Sequence, residues 1–125
     1  MDCVPDDDVV RRGPKRTIAW ARDATGRRHA KDFLEGGEAP EKHRAALDQA
    51  FKVLAEHGRI ANEQRFKKES GEIWGFKSYQ VRIGAFQEGR VWYLTHGFIK
   101  KQNRWPAREL KRAKRIRGEH LKRVP

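Results

Sequence analysis

The chain has 125 residues and a formal net charge of +12, and its hydrophobic and charged residues each make up 37%. This length fits one domain, and the aromatic share of 10%, with four Trp and six Phe, excludes a chain that is disordered throughout. A single cysteine argues against a disulfide framework, and no apolar run is long enough to span a membrane. The acidic N-terminus argues against a signal peptide, so we expect a cytoplasmic protein without a membrane partner.

The first predicted elements are a tail, a strand and a short helix. Residues 1–15 have no apolar period and are expected to form a flexible tail. Residues 17–22 alternate weakly between apolar and polar side chains, which favours a short strand, and residues 23–26 have the composition of a turn. Residues 27–34 are then expected to form one short helix.

The next segment has the clearest helical pattern of the chain. Pro40 suits a first helical position, and Gly58 suits the residue that ends a helix. Between them, apolar residues recur with the spacing i, i+3, i+4, i+7, at Leu47, Ala50, Phe51 and Leu54. This apolar stripe predicts a helix that packs one face on a core.

From residue 66 onward, the period changes to that of strands. Four strands are expected, with a hairpin turn at Glu88-Gly89, over residues 66–68, 73–77, 80–86 and 90–96. In the third of these strands, Arg82 lies on the face opposite the apolar Ile83. By the same alternation, His96 shares its face with Leu94 and Phe98.

A last helix is expected from Pro106 to about Gly118, with a basic tail over residues 119–125. Residues 99–125 contain 11 Lys or Arg against 2 Asp or Glu, so most of the excess positive charge lies in this part of the chain. This charge indicates a polyanionic partner, either nucleic acid or an acidic protein segment. We predict one α+β domain over residues 16–118, with its helices packed on one face of the sheet. The prediction follows from the order of the elements: a strand, two helices, an antiparallel meander and a basic helix.

Several short segments between residues 71 and 113 share a family pattern. They are Gly71-Glu72-Ile73-Trp74, Arg82 in its strand, Glu88-Gly89-Arg90, Leu94-Thr95-His96-Gly97-Phe98-Ile99-Lys100-Lys101, and Pro106 followed by Glu109-Leu110 and Ala113. Together they resemble the HigB-like, phage-derived branch of the RelE/ParE toxin superfamily. The resemblance implies an N-terminal strand and two helices packed on an antiparallel sheet, with a C-terminal basic helix. It also implies the toxin of a type II toxin–antitoxin system, restrained by a cognate antitoxin protein.

Many members of this superfamily cleave mRNA on the ribosome without a metal. The resemblance therefore implies an mRNA interferase, an endoribonuclease with RNA and the ribosome as partners and with no cofactor. In such a cleavage the RNA 2′-OH attacks the adjacent phosphorus, a base and an acid move the protons, and cations stabilise the negative charge of the transition state. His96 is the candidate acid or base, and Arg82 and Lys77 are candidates to hold the phosphate. The alternative for His96 is a histidine packed in the core, and the alternative for Arg82 and Lys77 is an ordinary solvated sheet face.

Five further basic residues are candidates for contacts with RNA phosphates: Lys67, Lys68, Lys100, Lys101 and Arg104. Lys100 and Lys101 are the strongest candidates because they directly follow the last strand. Trp105 either stacks on a base or anchors the start of the last helix. No pair of His or Cys residues has the spacing of a metal site, so no metal is expected. Surface or helix-end positions are expected for the other histidines, His29, His43, His57 and His120.

The chain departs from the family pattern at two places near these candidates. Members often have Glu-Leu-Arg after the Trp, whereas this chain has Gly75-Phe76-Lys77, so a point charge replaces a guanidinium fork. Members often have Thr or Ser before the helix proline, whereas this chain has Trp105. The first departure, together with the lack of an unambiguous acid–base pair, leaves open a non-catalytic binding module on the same fold, such as a gyrase-directed toxin or a phage-derived protein that binds RNA or a partner. A basic nucleic-acid-binding domain with no toxin role is a third possibility.

Overall fold

Six strands and three α-helices form the molecule over residues 2–100 and 104–123, which are the residues that the computed structural model describes. The strands are β1 (Val9–Arg12), β2 (Thr17–Trp20), β3 (Phe66–Ser70), β4 (Ile73–Ser78), β5 (Val81–Glu88) and β6 (Val91–Ile99). The helices are α1 (His29–Glu35), α2 (Glu41–His57) and α3 (Ala107–Lys122). The strands form one sheet in the order β1-β2-β6-β5-β4-β3, and the predicted α+β fold is confirmed.

Helix α2 forms where its sequence pattern predicts it. Pro40 directly precedes the helix, and Gly58 ends it with φ at +82°, a conformation that glycine adopts without strain. The Gly58 amide donates a 2.8 Å hydrogen bond to the carbonyl of Leu54. The apolar stripe is buried in the core at Leu47, Ala50, Phe51 and Leu54.

The N-terminal residues join the sheet, so the prediction of a flexible tail over residues 1–15 is wrong. β1 pairs antiparallel with β2, and β2 pairs in parallel with β6, so the sheet is not purely antiparallel. Asp8 is 7% exposed and accepts hydrogen bonds from Arg22 at 2.9 Å and from Arg28 at 2.6 Å. Strand pairing and these ion pairs order the segment. Neither interaction requires a periodic pattern of apolar residues, so the sequence pattern does not reveal this order.

The helices cover both faces of the sheet, rather than one face as predicted. α1 and α2 pack in one core together with Ala85, whereas α3 packs in another, where its Ile116 joins Phe86. Ala85 and Phe86 are neighbours on β5 and therefore point to opposite faces. α3 also continues to Lys122, so the predicted tail over residues 119–125 is largely helical where it is described.

A register shift between β5 and β6 reverses the faces of the last residues of β6. Ile83 pairs with Gly97, whereas Ala85 pairs with Leu94, so β6 contains one more residue than β5 in this interval. Leu94 lies in the core under α1 and α2, whereas His96 contacts α3 on the other face. The prediction that His96 and Leu94 share a face is therefore wrong, because simple alternation does not allow for a bulge.

Replacement of Gly97 by alanine is expected to destabilise the protein by about 1–3 kcal/mol. A Cβ atom at this position would lie 2.2 Å from Cδ2 of Phe33, a residue of α1 that packs on β6. Urea unfolding measures the change. Gly118→Ala is the matched control, because a Cβ in that helical position meets nothing within 4 Å and alanine favours the helix. Equal unfolding midpoints for the two variants would contradict this account of the bulge.

Candidate functional site

Basic side chains from neighbouring strands lie together on the α3 side of the sheet. Lys77 pairs with Arg82 across β4 and β5, and Arg82 pairs with Phe98, which belongs to the core under α3. Burial, and then the charge of Lys67, lowers the pKa of Lys77. Burial, and then the charge of Arg82, lowers the pKa of Lys100. Lys67, Lys77, Arg82 and Lys100 therefore form one group, which we name the basic cluster.

Arg82 is half-buried beside the turn that joins β4 to β5. Its Nη1 donates hydrogen bonds to the carbonyl of Val81 at 3.0 Å and to the carbonyl of Tyr79. Its Nε is buried and has no hydrogen-bond partner in the described part of the chain. Burial lowers the pKa of Arg82, but a guanidinium stays protonated at any physiological pH. Arg82 thus places a permanent positive charge at the hairpin.

Lys100 lies inside the protein rather than extending from its surface. It is 5% exposed, and its amide donates to the carbonyl of Gln80 at 2.7 Å. Burial and the neighbouring cations favour the neutral amine, so its pKa is lowered. The sequence predicts that Lys100 contacts RNA phosphates. In the structure, Lys100 is a buried member of the basic cluster. Lys101, the second lysine of the pair, lies outside the described residues.

A cleft beside β3 brings together Lys67, Lys68 and Arg104. The cleft has a volume of about 410 Å³, and Glu69 and Trp105 also line it. The three basic residues are exposed. Lys67 belongs to the basic cluster as well, so the cleft and the basic cluster adjoin and share a positive charge.

His96 occupies a packed environment between β6 and α3. Its side chain is fully buried, and its ring lies edge-on to Trp105. Because a carboxylate can only accept, Nε2–H donates to Oε1 of Glu109 at 3.1 Å, and the Thr95 hydroxyl donates to Nδ1 at 3.1 Å. Burial, and then the charge of Arg112, lowers the pKa of His96 to about 3. At neutral pH the ring is uncharged, and its hydrogen bonds connect the sheet to α3.

His29 is also buried, although it lies at an expected helix end, as the first residue of α1. It is 7% exposed, its Nε2–H donates to Asp23 at 2.7 Å, and its Nδ1 accepts from Arg112 of α3 at 3.1 Å. The Thr25 hydroxyl and then His29 hold the pKa of Asp23 well below its usual value. Thr25 two residues after Asp23 is a sequence signal for a local turn. No local sequence pattern predicts the contact between His29 and Arg112, because 83 positions separate the two residues.

The described side chains offer the chemistry of fixed cations and of lysines with lowered pKa values, which suits an anionic ligand. No group of three or more His, Cys, Asp and Glu side chains suited to a metal ion occurs among residues 2–100 and 104–123. Within the same residues, no helix is long and apolar enough to cross a membrane.

A family model described as phage derived protein Gp49-like (DUF891) matches residues 36–117. The match covers more than half of the chain and runs from just before α2 into α3, so it includes the basic cluster, the cleft beside β3 and His96. No curated protein shows significant similarity to the chain. The chain belongs to the Gp49-like family of phage-derived proteins, a RelE/HigB-like toxin family.

Proposed function

We propose that this protein is the toxin of a type II toxin–antitoxin system and that it cleaves mRNA on the ribosome without a metal. Family membership supports the toxin role. The observation that carries the RNA-cleaving role is the basic cluster, in which Lys77 and Arg82 pair across neighbouring strands. Closely spaced cations suit a phosphodiester, because its negative charge increases in the transition state.

The members of the basic cluster have different roles in the proposed reaction. The RNA 2′-OH attacks the adjacent phosphorus and releases its proton to solvent, the bond from phosphorus to the 5′-oxygen breaks, and the 5′-oxygen takes a proton, which gives a 2′,3′-cyclic phosphate and a 5′-hydroxyl. Arg82 stabilises the negative charge on the phosphoryl oxygens through its guanidinium. The ammonium of Lys77 donates the proton to the leaving 5′-oxygen more readily than an ordinary lysine would, because burial and the charge of Lys67 lower its pKa. Lys68 and Arg104 bind flanking phosphates along the cleft beside β3.

We assign His96 to positioning rather than to proton transfer. Its ring is 0% exposed, and its pKa of about 3 leaves it neutral throughout the physiological range. Its Nε2–H donates a hydrogen bond to Glu109, which lies in the first turn of α3. Through this bond, His96 holds the start of α3 against the sheet that carries the basic cluster.

Arg82→Ala and Lys77→Met are each expected to reduce mRNA cleavage by about 10²-fold or more and to abolish growth arrest on induced expression. Arg82→Lys keeps the charge but lacks the planar fork, so an intermediate loss is expected. Lys52→Ala removes one charge from the exposed face of α2 and is expected to stay fully toxic. Growth curves and mapped RNA 5′ ends are the measurements.

Full toxicity with unchanged RNA ends in both Arg82→Ala and Lys77→Met would overturn the catalytic assignment. A non-catalytic binding module, for example a gyrase-directed toxin, is the second candidate function. It is favoured by the burial of His96, which removes an imidazole from the set of accessible proton-transfer groups. Growth arrest with DNA-damage signalling and without new RNA ends would identify this second function.

The proposed protein partner is an antitoxin with an acidic segment that docks on α3. Exposed cations follow one another along this helix at Arg108, Lys111, Lys114 and Arg115. Like charges at such spacing repel one another, so neutralisation by an acidic partner is favourable. This surface continues from Arg104 in the cleft beside β3, so a bound antitoxin also blocks the proposed path of the RNA.

A further inference from the structure

Tyr79 is an exposed aromatic residue at a position that disfavours its side chain. It lies with Gln80 in the two-residue connection between Ser78 and Val81, which pair across β4 and β5. Its φ is +53°, a conformation that glycine adopts without strain and that is uncommon for a bulky residue. Its side chain is nevertheless 83% exposed. Core packing therefore does not explain a tyrosine at this turn.

The surroundings of Tyr79 combine apolar surface with positive charge. The His43 ring lies 5.1 Å from the Tyr79 ring, tilted by 60°, and Lys42 Nζ lies 5.9 Å from the ring centroid. A cleft of about 330 Å³ adjoins the ring and is also lined by Pro40 and by Ile99, which is 48% exposed. The cleft thus has the apolar walls and the flanking cation that a nucleotide requires.

The turn that carries Tyr79 is connected to the basic cluster through its backbone. Arg82 Nη1 donates to the carbonyl of Tyr79, and the amide of Lys100 donates to the carbonyl of Gln80 at 2.7 Å. The tyrosine ring therefore stands at the tip of the hairpin on which Lys77 and Arg82 are paired. Lys42 and His43 belong to α2, on the sheet face opposite the basic cluster, so RNA would reach both sites by passing around this tip.

We propose that Tyr79 and the adjoining cleft form a stacking site for an unpaired base of single-stranded RNA, whose phosphates contact Lys42 and the basic cluster. The proposal rests on the proposed function, since it names a subsite for the same RNA. Bases of any identity stack on an aromatic ring, so this subsite supplies affinity rather than sequence preference. The positive charge around the ring is complementary to the phosphates that flank each base.

The test compares Tyr79→Gly with Tyr79→Phe, which keeps the ring. Binding is measured by fluorescence anisotropy, using a short single-stranded RNA and an abasic oligonucleotide of the same length. Tyr79→Gly is expected to weaken RNA binding about tenfold and to leave abasic binding unchanged, while Tyr79→Phe matches the wild type on both. The melting temperature of Tyr79→Gly is not expected to fall, because glycine relieves the strain at φ +53°.

The stacking-site proposal is wrong if Tyr79→Gly binds RNA as tightly as the wild type does. It is also wrong if this variant loses equal affinity for the RNA and for the abasic oligonucleotide. Arg82→Ala separates this failure from that of the proposed function. If Arg82→Ala weakens both oligonucleotides and Tyr79→Gly weakens neither, only the stacking site is wrong. If the wild-type protein binds neither oligonucleotide, the stacking site is wrong, whereas the proposed function is decided separately by the mapped RNA 5′ ends on induced expression. Loss of antitoxin binding alone in Tyr79→Gly shows a protein interface instead and equally overturns the stacking site.

Discussion

Truncation of Trp105 to alanine is expected to lower the free energy of unfolding by about 3–5 kcal/mol. Trp105 is 6% exposed, and its ring packs edge-on against Phe98 with 4.7 Å between centroids. It acts as the anchor that holds the start of α3 on the sheet, so its removal leaves a cavity between them. Urea unfolding measures the loss. Ile99→Ala is the control, since Ile99 is 48% exposed and its truncation is expected to change stability by only about 0.5 kcal/mol.

The same ring links Gly75, in the first departure from the family pattern, to Trp105, which is the second departure, but it does not explain Lys77 in place of arginine. A Cβ on Gly75 would lie 2.7 Å from Cζ2 of Trp105. The glutamate that members often have at this position would therefore meet the ring, so Trp105 requires a glycine at position 75. Because the two residues are in contact, a double-mutant cycle with Gly75→Ala and Trp105→Ala is expected to show a coupling of about 0.5–3 kcal/mol. Additive effects would show that the two departures are independent.

Elements with a clear hydrophobic period were predictable from the sequence. α2 follows from its apolar stripe and from Gly58, and the strands β3 to β6 follow from their alternation, with ends that differ by at most a few residues. β1 was not predictable, because Val9–Arg12 contains two apolar residues followed by two arginines and becomes ordered by pairing with β2. The burial of His29 depends on Arg112 in a distant helix, which local patterns do not report.

Strand alternation predicts the sheet face of Lys77 and Arg82 but not the full arrangement of the basic cluster. Their direct pairing depends on the two-residue turn between Ser78 and Val81, which sets the register. The bulge that moves His96 to the α3 side is a property of strand pairing, and its sequence signal is weak. That signal is the pair Gly84 and Gly97 on the facing strands, since glycine inside a strand often marks a bulge or a close approach. The burial of Lys100 arises from non-local packing and has no sequence signal.

Acidification is expected to destabilise the wild-type protein more than a variant without the His96 imidazole. The pKa of His96 is about 3 in the folded state and 6.5 for an ordinary histidine, so between these values the unfolded chain binds a proton that the folded protein does not. The contribution of the neutral ring is fully present above pH 6.5 and is lost as the pH falls towards 3. Between pH 7 and pH 5 the loss amounts to about 2 kcal/mol.

His96→Gln is the matched variant, because its amide can still donate to Glu109. Urea unfolding at pH 7 and pH 5 is the measurement, since ordinary carboxylates stay largely ionised over this interval. The half-buried His120 also has a pKa lowered by burial, but it is present in both proteins and cancels in the comparison. A steeper loss in the wild type supports the positioning role of His96. Equal losses would mean that His96 titrates near neutrality in the folded protein, and the general acid or base interpretation would then regain its physical basis.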